Sequence, residues 1–293
     1  MPRVALVTYD PRPEPSRDRD LPVLLDALRA AGAEADAVFW DDAEVDWGGY
    51  DLALIRSTWD YSRRVAEFVA WAERCAEVTR LANPAEVVRW NTDKRYLGEL
   101  AAAGVPTVPT RYLAPGDAGG LPDDWEYVVK PAFGAGARYA ARYTPEQHDT
   151  AVRQLARMHE EGLTAMVQPY MKGIDAGGER ALLFFGGRFL HASRKRAVLA
   201  PGTAFDADKV AHPGLEPWTA TPAELAVAER ALAAVPDAPE LLYARVDLVD
   251  GDDAQPWVME LELVEPNLFL DLHPRSLPLV VAAIMTVSSS QRG

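Results

Sequence analysis

Residues 242–263 read LYARVDLVDGDDAQPWVMELEL, which is two apolar strand patterns joined by an acidic turn. Side chains of a strand point alternately to its two faces, so Arg245 and Asp247 share one face of the first predicted strand. Glu260 and Glu262 share one face of the second predicted strand for the same reason. The residues between them are apolar and must face the core. This segment therefore predicts a pair of strands that presents charged side chains together.

Three of these side chains, Asp247, Glu260 and Glu262, are carboxylates that repel one another unless a cation lies among them. Magnesium prefers oxygen ligands such as carboxylates, and phosphate oxygens can occupy the coordination positions that the carboxylates leave open. The pattern thus predicts a magnesium site beside Arg245. Two solvated strand faces are the alternative that the pattern leaves open.

A second candidate site follows the apolar strand pattern of residues 127–131. Lys130 ends this strand, and the small residues Gly134, Ala135 and Gly136 come soon after it. The lysine can neutralise phosphate while the backbone N–H groups of such a loop approach the phosphate oxygens. The spacing fits neither the Walker phosphate loop nor the Rossmann fingerprint. A plain hairpin with a solvated lysine is the alternative interpretation.

A third candidate is the strand over residues 165–171, which includes Gln168 and breaks into a glycine-containing loop before Glu179. An adenine edge needs a carbonyl acceptor and, two residues on, an N–H donor, which Pro169 and Met171 can provide from their backbones. Glu179 starts the next predicted strand and can accept hydrogen bonds from ribose hydroxyls. An edge strand followed by a turn would show the same pattern.

Two further lysines are candidates because of where they lie. Lys94 is expected in the first turn of a helix over 91–104, where the helix dipole disfavours positive charge, so a nearby anion would explain it. Lys195 lies in the basic run of residues 193–196 of an acidic protein. Surface solubility is the alternative explanation for both lysines.

The first 90 residues follow the order strand, helix, strand, strand, helix, which is typical of an open α/β sheet. The strands are predicted at 4–8, 35–40 and 52–55, and the first helix at 21–31. Such sheets bind ligands in the loops at the carboxyl ends of their strands. The candidate substrate-binding residues in these loops are Tyr9, Asp10, Arg56, Ser57, Thr58 and Asp60. Anionic and zwitterionic substrates need paired charges of this kind.

The rest of the chain shows strands with glycine turns and several helices. Helices are predicted at 145–161, 224–235 and 274–287, a hairpin at 180–193 around Gly186-Gly187, and a loop at 110–125.

The composition and net charge of the 293-residue chain limit the classes of protein to which it can belong. A hydrophobic share of 48% and a charged share of 25% are ordinary for a globular protein. The net charge of −14 argues against nucleic-acid binding, which normally needs a basic surface. Cys75, the only cysteine, lies in a helical pattern and is expected to pack in the core. With no long apolar segment in the sequence, we expect a cytoplasmic protein without a membrane partner.

Taken in chain order, these motifs resemble the ATP-grasp superfamily over about residues 85–275. The ordered set carries the resemblance, rather than any single motif. The resemblance implies a mixed α/β and α+β fold, in which an N-terminal lobe with an open α/β sheet precedes two α+β lobes that clamp ATP. We therefore expect an N-terminal substrate-side domain at 1–90, a central lobe at 91–167, and a C-terminal lobe with the magnesium site at 168–293.

The resemblance also implies roles on the nucleotide side of the site. Lys94 and Lys130 would bind the α and β phosphates, and the loop from Gly134 through Ala135 and Gly136 would cover the β and γ phosphates. Adenine would lie against the hinge formed by Gln168, Pro169 and Met171, and ribose against Glu179.

On the catalytic side, the resemblance implies that Arg245 stabilises the transferred phosphoryl group, and Lys195 is a second catalytic candidate. Asp247, Glu260 and Glu262 would carry two magnesium ions. Glu262 stands where the superfamily usually has asparagine, so Asn267 is an alternative third ligand.

The chemistry that the resemblance implies is the phosphorylation of a carboxylate by ATP, followed by the attack of an amine on the acyl phosphate. Within the superfamily, the short chain and the turn at 56–61 are most similar to the cyclo-ligases of antibiotic biosynthesis that convert O-ureido-D-serine to D-cycloserine. A ligase that joins two amino acids, of the D-alanine ligase or glutathione synthetase type, is one alternative. A regulatory protein that binds ATP without turnover is another. The expected partner is a small amino-acid-like substrate, and the sequence leaves open whether the protein forms a homo-oligomer.

Overall fold

A parallel sheet forms the N-terminal part of the chain. The computed structural model describes residues 1–12, 18–117, 119–134, 139–200, 202–206, 214–237 and 240–290. The first elements are β1 (Arg3–Thr8), α1 (Asp20–Ala30), β2 (Glu34–Phe39), β3 (Leu52–Ile55), α2 (Val65–Val78) and β4 (Leu81–Ala82). The strands pair in the order β2-β1-β3-β4, all parallel. Apart from Arg3, the residues of the two central strands are buried, as their continuous apolar runs require. The predicted open α/β sheet is confirmed.

The middle part of the chain forms an antiparallel sheet covered by one helix. Its elements are α3 (Ala85–Asn91), α4 (Tyr96–Ala102), β5 (Arg111–Leu113), β6 (Tyr127–Pro131), β7 (Ala141–Tyr143), α5 (His148–Glu160) and β8 (Ala165–Pro169). The strand order is β5-β8-β6-β7, and Ala151 and Met158 of α5 are buried in the core that this sheet forms. The expected lobe boundary at 167/168 falls inside β8, and the division of the chain into lobes stays a prediction.

A five-stranded antiparallel sheet carries the charged strand pair. The last elements are α6 (Gly173–Gly177), β9 (Glu179–Phe185), β10 (Arg188–Lys195), β11 (Glu216–Trp218), α7 (Pro222–Ala233), β12 (Tyr243–Asp250), β13 (Pro256–Glu262) and α8 (Leu277–Ser289). The strand order is β11-β10-β9-β12-β13, and β9 and β10 form the predicted hairpin.

The apolar face of the strand pair fixes the orientation of its charged face. Val246, Leu248 and Leu261 are at most 1% exposed and belong to one core with Ala228 and Ala231 of α7. Full burial of a valine or leucine side chain stabilises a fold by about 1.5–3 kcal/mol. Because a slip of one residue would turn these side chains to the opposite face, the core determines where the charged residues point.

Helix α8 returns to the N-terminal sheet. Its residues Val280 and Ile284 are fully buried in one core with Leu24 and Leu28 of α1. The predicted C-terminal helix is therefore confirmed, after a short 3-10 turn at Pro274–Ser276. Among the described residues, no helix has both the length and the apolar character that a membrane crossing needs.

The structure corrects the single helix expected over 91–104. Helix α3 ends at Asn91 and α4 begins only at Tyr96, so Lys94 lies between two helices. The Asn91 side chain donates to the Leu261 carbonyl at 2.8 Å and accepts from the Leu263 N–H at 2.8 Å. These bonds tie the end of α3 to β13, and the chain turns before the next helix starts.

The expected loop over 110–125 is also wrong in part, since β5 lies there and pairs with β8. Three residues are too short a stretch to show strand periodicity in a sequence. Cys75 is buried on α2, as predicted.

Candidate active site

Strands β12 and β13 place the four charged residues in opposed pairs. In this antiparallel register Arg245 faces Glu262, and Asp247 faces Glu260. Arg245 and Asp247 are each only 1% exposed. The sequence prediction that these residues lie together is confirmed: a cation and three carboxylates form one patch, in which Glu260 and Glu262 stay partly exposed.

Arg245 and Asp247 form the centre of this patch. The guanidinium donates from Nε to Oδ1 of Asp247 at 2.8 Å and from Nη2 to Oδ2 at 2.9 Å, and it also pairs with Glu262. Burial opposes the ionisation of Asp247, but the charges of Arg245 and Lys195 hold its pKa well below the usual range. The Asp247 carboxylate therefore stays charged throughout the ordinary pH range.

Lys195 connects two further strands to this centre. Its Nζ donates to Oδ2 of Asp247 at 2.8 Å and also pairs with Glu179, which lies opposite it across β9 and β10. Burial raises the pKa of Glu179 to about 7, and the neighbouring Asp247 adds to that shift. The structure thus joins Glu179 to the carboxylate patch, while its role as the ribose ligand stays a prediction.

The lysines predicted for phosphate lie around Glu260. Lys94 is 9% exposed, and its Nζ lies 3.1 Å from Oε1 of Glu260 and donates to the Gly134 carbonyl at 2.5 Å. Burial lowers the pKa of Lys130, and the nearby Lys94 lowers it further. Two lysines near one carboxylate leave positive charge available for an anion. Of the predicted phosphate loop, Ala135 and Gly136 lie outside the described residues.

The predicted hinge lies at the end of β8. The Gln168 amide donates to the Thr110 hydroxyl at 2.8 Å, so this side chain holds the hinge to the segment before β5. Pro169 pairs with Tyr127 in the sheet, and Met171 is buried in a small core with Val249. These contacts fix the backbone from which adenine recognition was predicted.

Among the N-terminal candidates, three consecutive residues after β3 are buried. The Ser57 hydroxyl hydrogen-bonds to Thr8 at 2.8 Å, and Arg56 donates from Nη2 to the Pro266 carbonyl at 2.9 Å. The Arg56 side chain is 2% exposed, yet within the described part of the chain its Nε and Nη1 have no hydrogen-bond partner, and neither does the Thr58 hydroxyl. Buried unpaired donors are costly, so these groups are suited to a ligand that accepts hydrogen bonds.

The other N-terminal candidates have partners within the protein. Asp10 pairs with the exposed Arg12, and Asp60 accepts from the Trp40 indole at 3.0 Å. The Tyr9 ring lies 6.1 Å from that of Trp59. Their role in substrate binding stays a prediction, with less support than that of Arg56.

Sequence reasoning missed two carboxylates and a tyrosine beside the site. Asp20, at the start of α1, accepts backbone N–H groups of Leu268, Phe269 and Leu270. The charge of Glu265 adds to the effect of burial in raising the pKa of Tyr61, and burial raises the pKa of Glu265 itself to about 7. The only signal in the sequence was that Glu265 follows the charged strand and precedes a proline.

Within the described residues, no three His, Cys, Asp or Glu side chains converge as a ready metal site. The carboxylates are turned towards basic partners instead: Asp247 and Glu262 to Arg245, and Glu260 to Lys94. Burial and the neighbouring carboxylates nevertheless raise the pKa of Glu262 to about 8. A divalent cation would relieve this crowding of like charges, so the donor set fits magnesium. The choice between Glu262 and Asn267 as third ligand stays a prediction.

Comparison with known proteins places these features in context. Residues 4–83 match the model of the N-terminal domain of D-cycloserine synthetase DcsG. The chain is 41% identical over 271 residues to the cycloserine biosynthesis protein DcsG of Streptomyces lavendulae, covering 86% of this chain and 88% of that protein. The crystal structure of D-cycloserine synthetase DcsG superposes with a TM-score of 0.86 at 36% identity, covering 98% of this chain and 100% of that one.

More distant structures share the fold alone. A RimK-domain ATP-grasp protein of Sphaerobacter thermophilus matches with a TM-score of 0.67 at 20% identity, covering 98% of this chain and 100% of that one. The D-alanine–D-alanine ligase of Bacillus anthracis, in complex with ATP, matches with a TM-score of 0.67 at 16% identity, covering 98% and 97%. The mixed fold predicted from the sequence, with several sheets, is confirmed.

Proposed function

Since the chain belongs to the D-cycloserine synthetase family of ATP-grasp ligases, we propose that it uses ATP to close O-ureido-D-serine into D-cycloserine. Family membership confirms the expectation of an ATP-dependent carbon–nitrogen ligase. The geometric observation that carries the proposal is the buried Arg245–Asp247 pair that faces Glu260 and Glu262 across two strands.

The reaction begins with transfer of the γ-phosphoryl group of ATP to the substrate carboxylate. The resulting acyl phosphate is attacked by the nitrogen bonded to oxygen in the same molecule, which forms the ring amide and releases phosphate. That nitrogen carries a carbamoyl group in O-ureido-D-serine and only hydrogen in the product. Ring closure must therefore be accompanied by hydrolytic loss of the carbamoyl group.

The cations of the site suit phosphoryl transfer. Arg245 is held in one orientation by two bonds to Asp247, so its charge is preorganised for the transferred group. Lys94 and Lys130 would bind the phosphates of ATP, and Lys195 holds Oδ2 of Asp247. When bound, magnesium would be held by Asp247, Glu260 and Glu262 and would neutralise the charge on the phosphates.

The N-terminal loops are proposed to bind the substrate. The unpaired donors of Arg56 and Thr58 suit a carbonyl or carboxylate oxygen of the substrate. Arg56 is tied through Pro266 to the loop that follows β13, so a substrate held there lies close to the catalytic strands.

Incubation with Mg²⁺, ATP and O-ureido-D-serine tests this proposal, with ADP release measured enzymatically and products identified by mass spectrometry. We expect D-cycloserine in a one-to-one ratio with ADP, and loss of both in Arg245→Met. Exposed Glu77 provides a control, and Glu77→Gln should behave as wild type. A dipeptide formed from D-alanine would indicate an intermolecular ligase instead. Tight ATP binding without ADP release for any of these substrates would refute an enzyme and favour a regulatory protein.

A further inference from the structure

The Asp20 carboxyl group holds three successive backbone N–H groups of the loop that follows β13. Its Oδ2 accepts from Leu268 at 2.7 Å and from Phe269 at 3.2 Å, and its Oδ1 accepts from Leu270 at 2.9 Å. Asp20 is 3% exposed and lies on α1, 248 positions from Leu268 in the chain. Successive N–H groups that turn towards one carboxyl group form an anion-binding concavity, so Asp20 fixes the path of this loop.

Phe269, in the middle of this loop, has an unfavourable backbone conformation. Its φ is +54°, in the left-handed region that residues with a side chain rarely adopt. A conformation of this kind persists only where its surroundings hold it in place. Here the bonds from the three N–H groups to Asp20 hold the backbone, and the Phe269 side chain is buried.

The Phe269 ring covers the guanidinium group of Arg245. The Cζ atom of Arg245 lies 5.5 Å from the ring centroid, within the range of a cation–π contact. The backbone of the same loop also approaches, since the Asn267 carbonyl oxygen lies 3.5 Å from Nη1 of Arg245. Asp247 and Glu262 bind the guanidinium through Nε and Nη2. The loop therefore supplies the contacts that these two carboxylates do not make.

We propose that Asp20 is a positioning residue for catalysis, which orients Arg245 through the loop and the ring of Phe269. The inference rests on the proposed function, in which Arg245 stabilises the transferred phosphoryl group. Asp20 also lies next to the proposed substrate residue Arg56, whose Nη2 is 3.9 Å from Oδ2 of Asp20. One side chain of α1 thus contacts both a residue proposed to bind the substrate and the loop over the catalytic arginine.

Asp20→Asn tests the proposal, because an amide keeps the size of the side chain but has only one acceptor oxygen. One or two of the three N–H groups then lose their acceptor, and the loop is free to shift. Because a displacement of about 1 Å can cost about 10²-fold in rate, we expect kcat for D-cycloserine formation to fall by about 10- to 100-fold. The KM for ATP should change by less than about threefold, since Lys94 and Lys130 lie outside this loop. Exposed Asp26, on the same helix, provides the control Asp26→Asn.

Phe269→Leu removes the ring but leaves the backbone bonds to Asp20, so it tests the contact even if Asp20→Asn folds poorly. We expect kcat to fall by about 2- to 30-fold, which is the equivalent of one cation–π contact. The double variant should lose no more than the more severe single variant, within about twofold, because both changes release the same arginine.

Thermal unfolding midpoints and titration with ATP establish that each variant is folded and binds the nucleotide. A folded Asp20→Asn variant with the kcat of wild type would show a purely structural role and overturn the inference, as would an unchanged kcat in Phe269→Leu. Effects that multiply in the double variant would overturn it too, because Asp20 would then act elsewhere. Absence of D-cycloserine from the wild-type reaction would instead refute the proposed function.

Discussion

Replacement of Asp247 by asparagine separates catalysis from folding at this site. The substitution keeps the side-chain shape but removes the charge that holds Arg245 and Lys195. Breaking a buried ion pair costs about 3–5 kcal/mol when the partner is left alone. Here Arg245 keeps Glu262 and Lys195 keeps Glu179, so we expect a smaller loss, about 2 kcal/mol. Asp247 also raises the pKa of both glutamates, so its neutralisation lets them ionise and recovers part of the loss.

The effect of Asp247→Asn on catalysis should be far larger. Loss of one preorganised charged group at a transition state typically costs about 10²–10³ in kcat. Since Asp247 both orients Arg245 and is a proposed magnesium ligand, we expect kcat to fall by at least about 10³. ADP release gives kcat, titration with a fluorescent ATP analogue gives nucleotide affinity, and thermal unfolding gives stability. Exposed Asp252, on the same hairpin, provides the control Asp252→Asn. Retention of more than about a tenth of kcat by folded Asp247→Asn would refute this account of the site.

Two other substitutions test the role of a lysine in ATP binding and the effect of a buried histidine on the pH dependence of stability. Lys130→Met should weaken ATP binding by about tenfold or more, since a phosphate partner is lost. It should also stabilise the ligand-free protein, because it removes a half-buried cation whose pKa is lowered. Fluorescence titration and chemical denaturation measure the two effects, and an unchanged ATP affinity would contradict the phosphate role. His191 is buried, donates from Nε2 to the Leu268 carbonyl at 2.9 Å, and has its pKa lowered to about 4 by burial and by His273. The unfolded chain therefore binds more protons between about pH 6.5 and 4, so stability falls as the pH falls through this window, by about 2–3 kcal/mol. Denaturation of His191→Gln over the same pH range should lack this component, and equal slopes for both proteins would contradict it.

The charged strand pair was predictable because its information is local. Alternation alone placed Arg245 with Asp247 and Glu260 with Glu262, and the apolar residues between them set the buried face. Lys94 was predicted as a site residue, but its position was not. The end of α3 is decided by Asn91, whose side chain bonds to the backbone of β13 about 170 residues away.

The substrate side was less predictable for the same reason. Arg56 could be selected because it follows a strand of an open sheet, but its unpaired donors depend on which loop packs above it. The hydrogen bond from Arg56 to the Pro266 carbonyl joins residues that are 210 positions apart, which no local pattern can predict.

The contacts that escaped sequence reasoning also explain how substrate and catalytic strands stay aligned. The buried Asn83, next to β4, donates to the carbonyls of Tyr243 and Leu263 at 2.9 and 2.8 Å. Asp20 accepts backbone N–H groups from residues 268–270. The N-terminal sheet is therefore joined to β12, to the residue after β13 and to the following loop by buried hydrogen bonds, each costly to break. Because ring closure needs one carboxylate to meet first a phosphate and then a nitrogen of its own molecule, small displacements would be harmful. A rigid connection between substrate loops and charged strands suits that requirement better than two lobes that move independently.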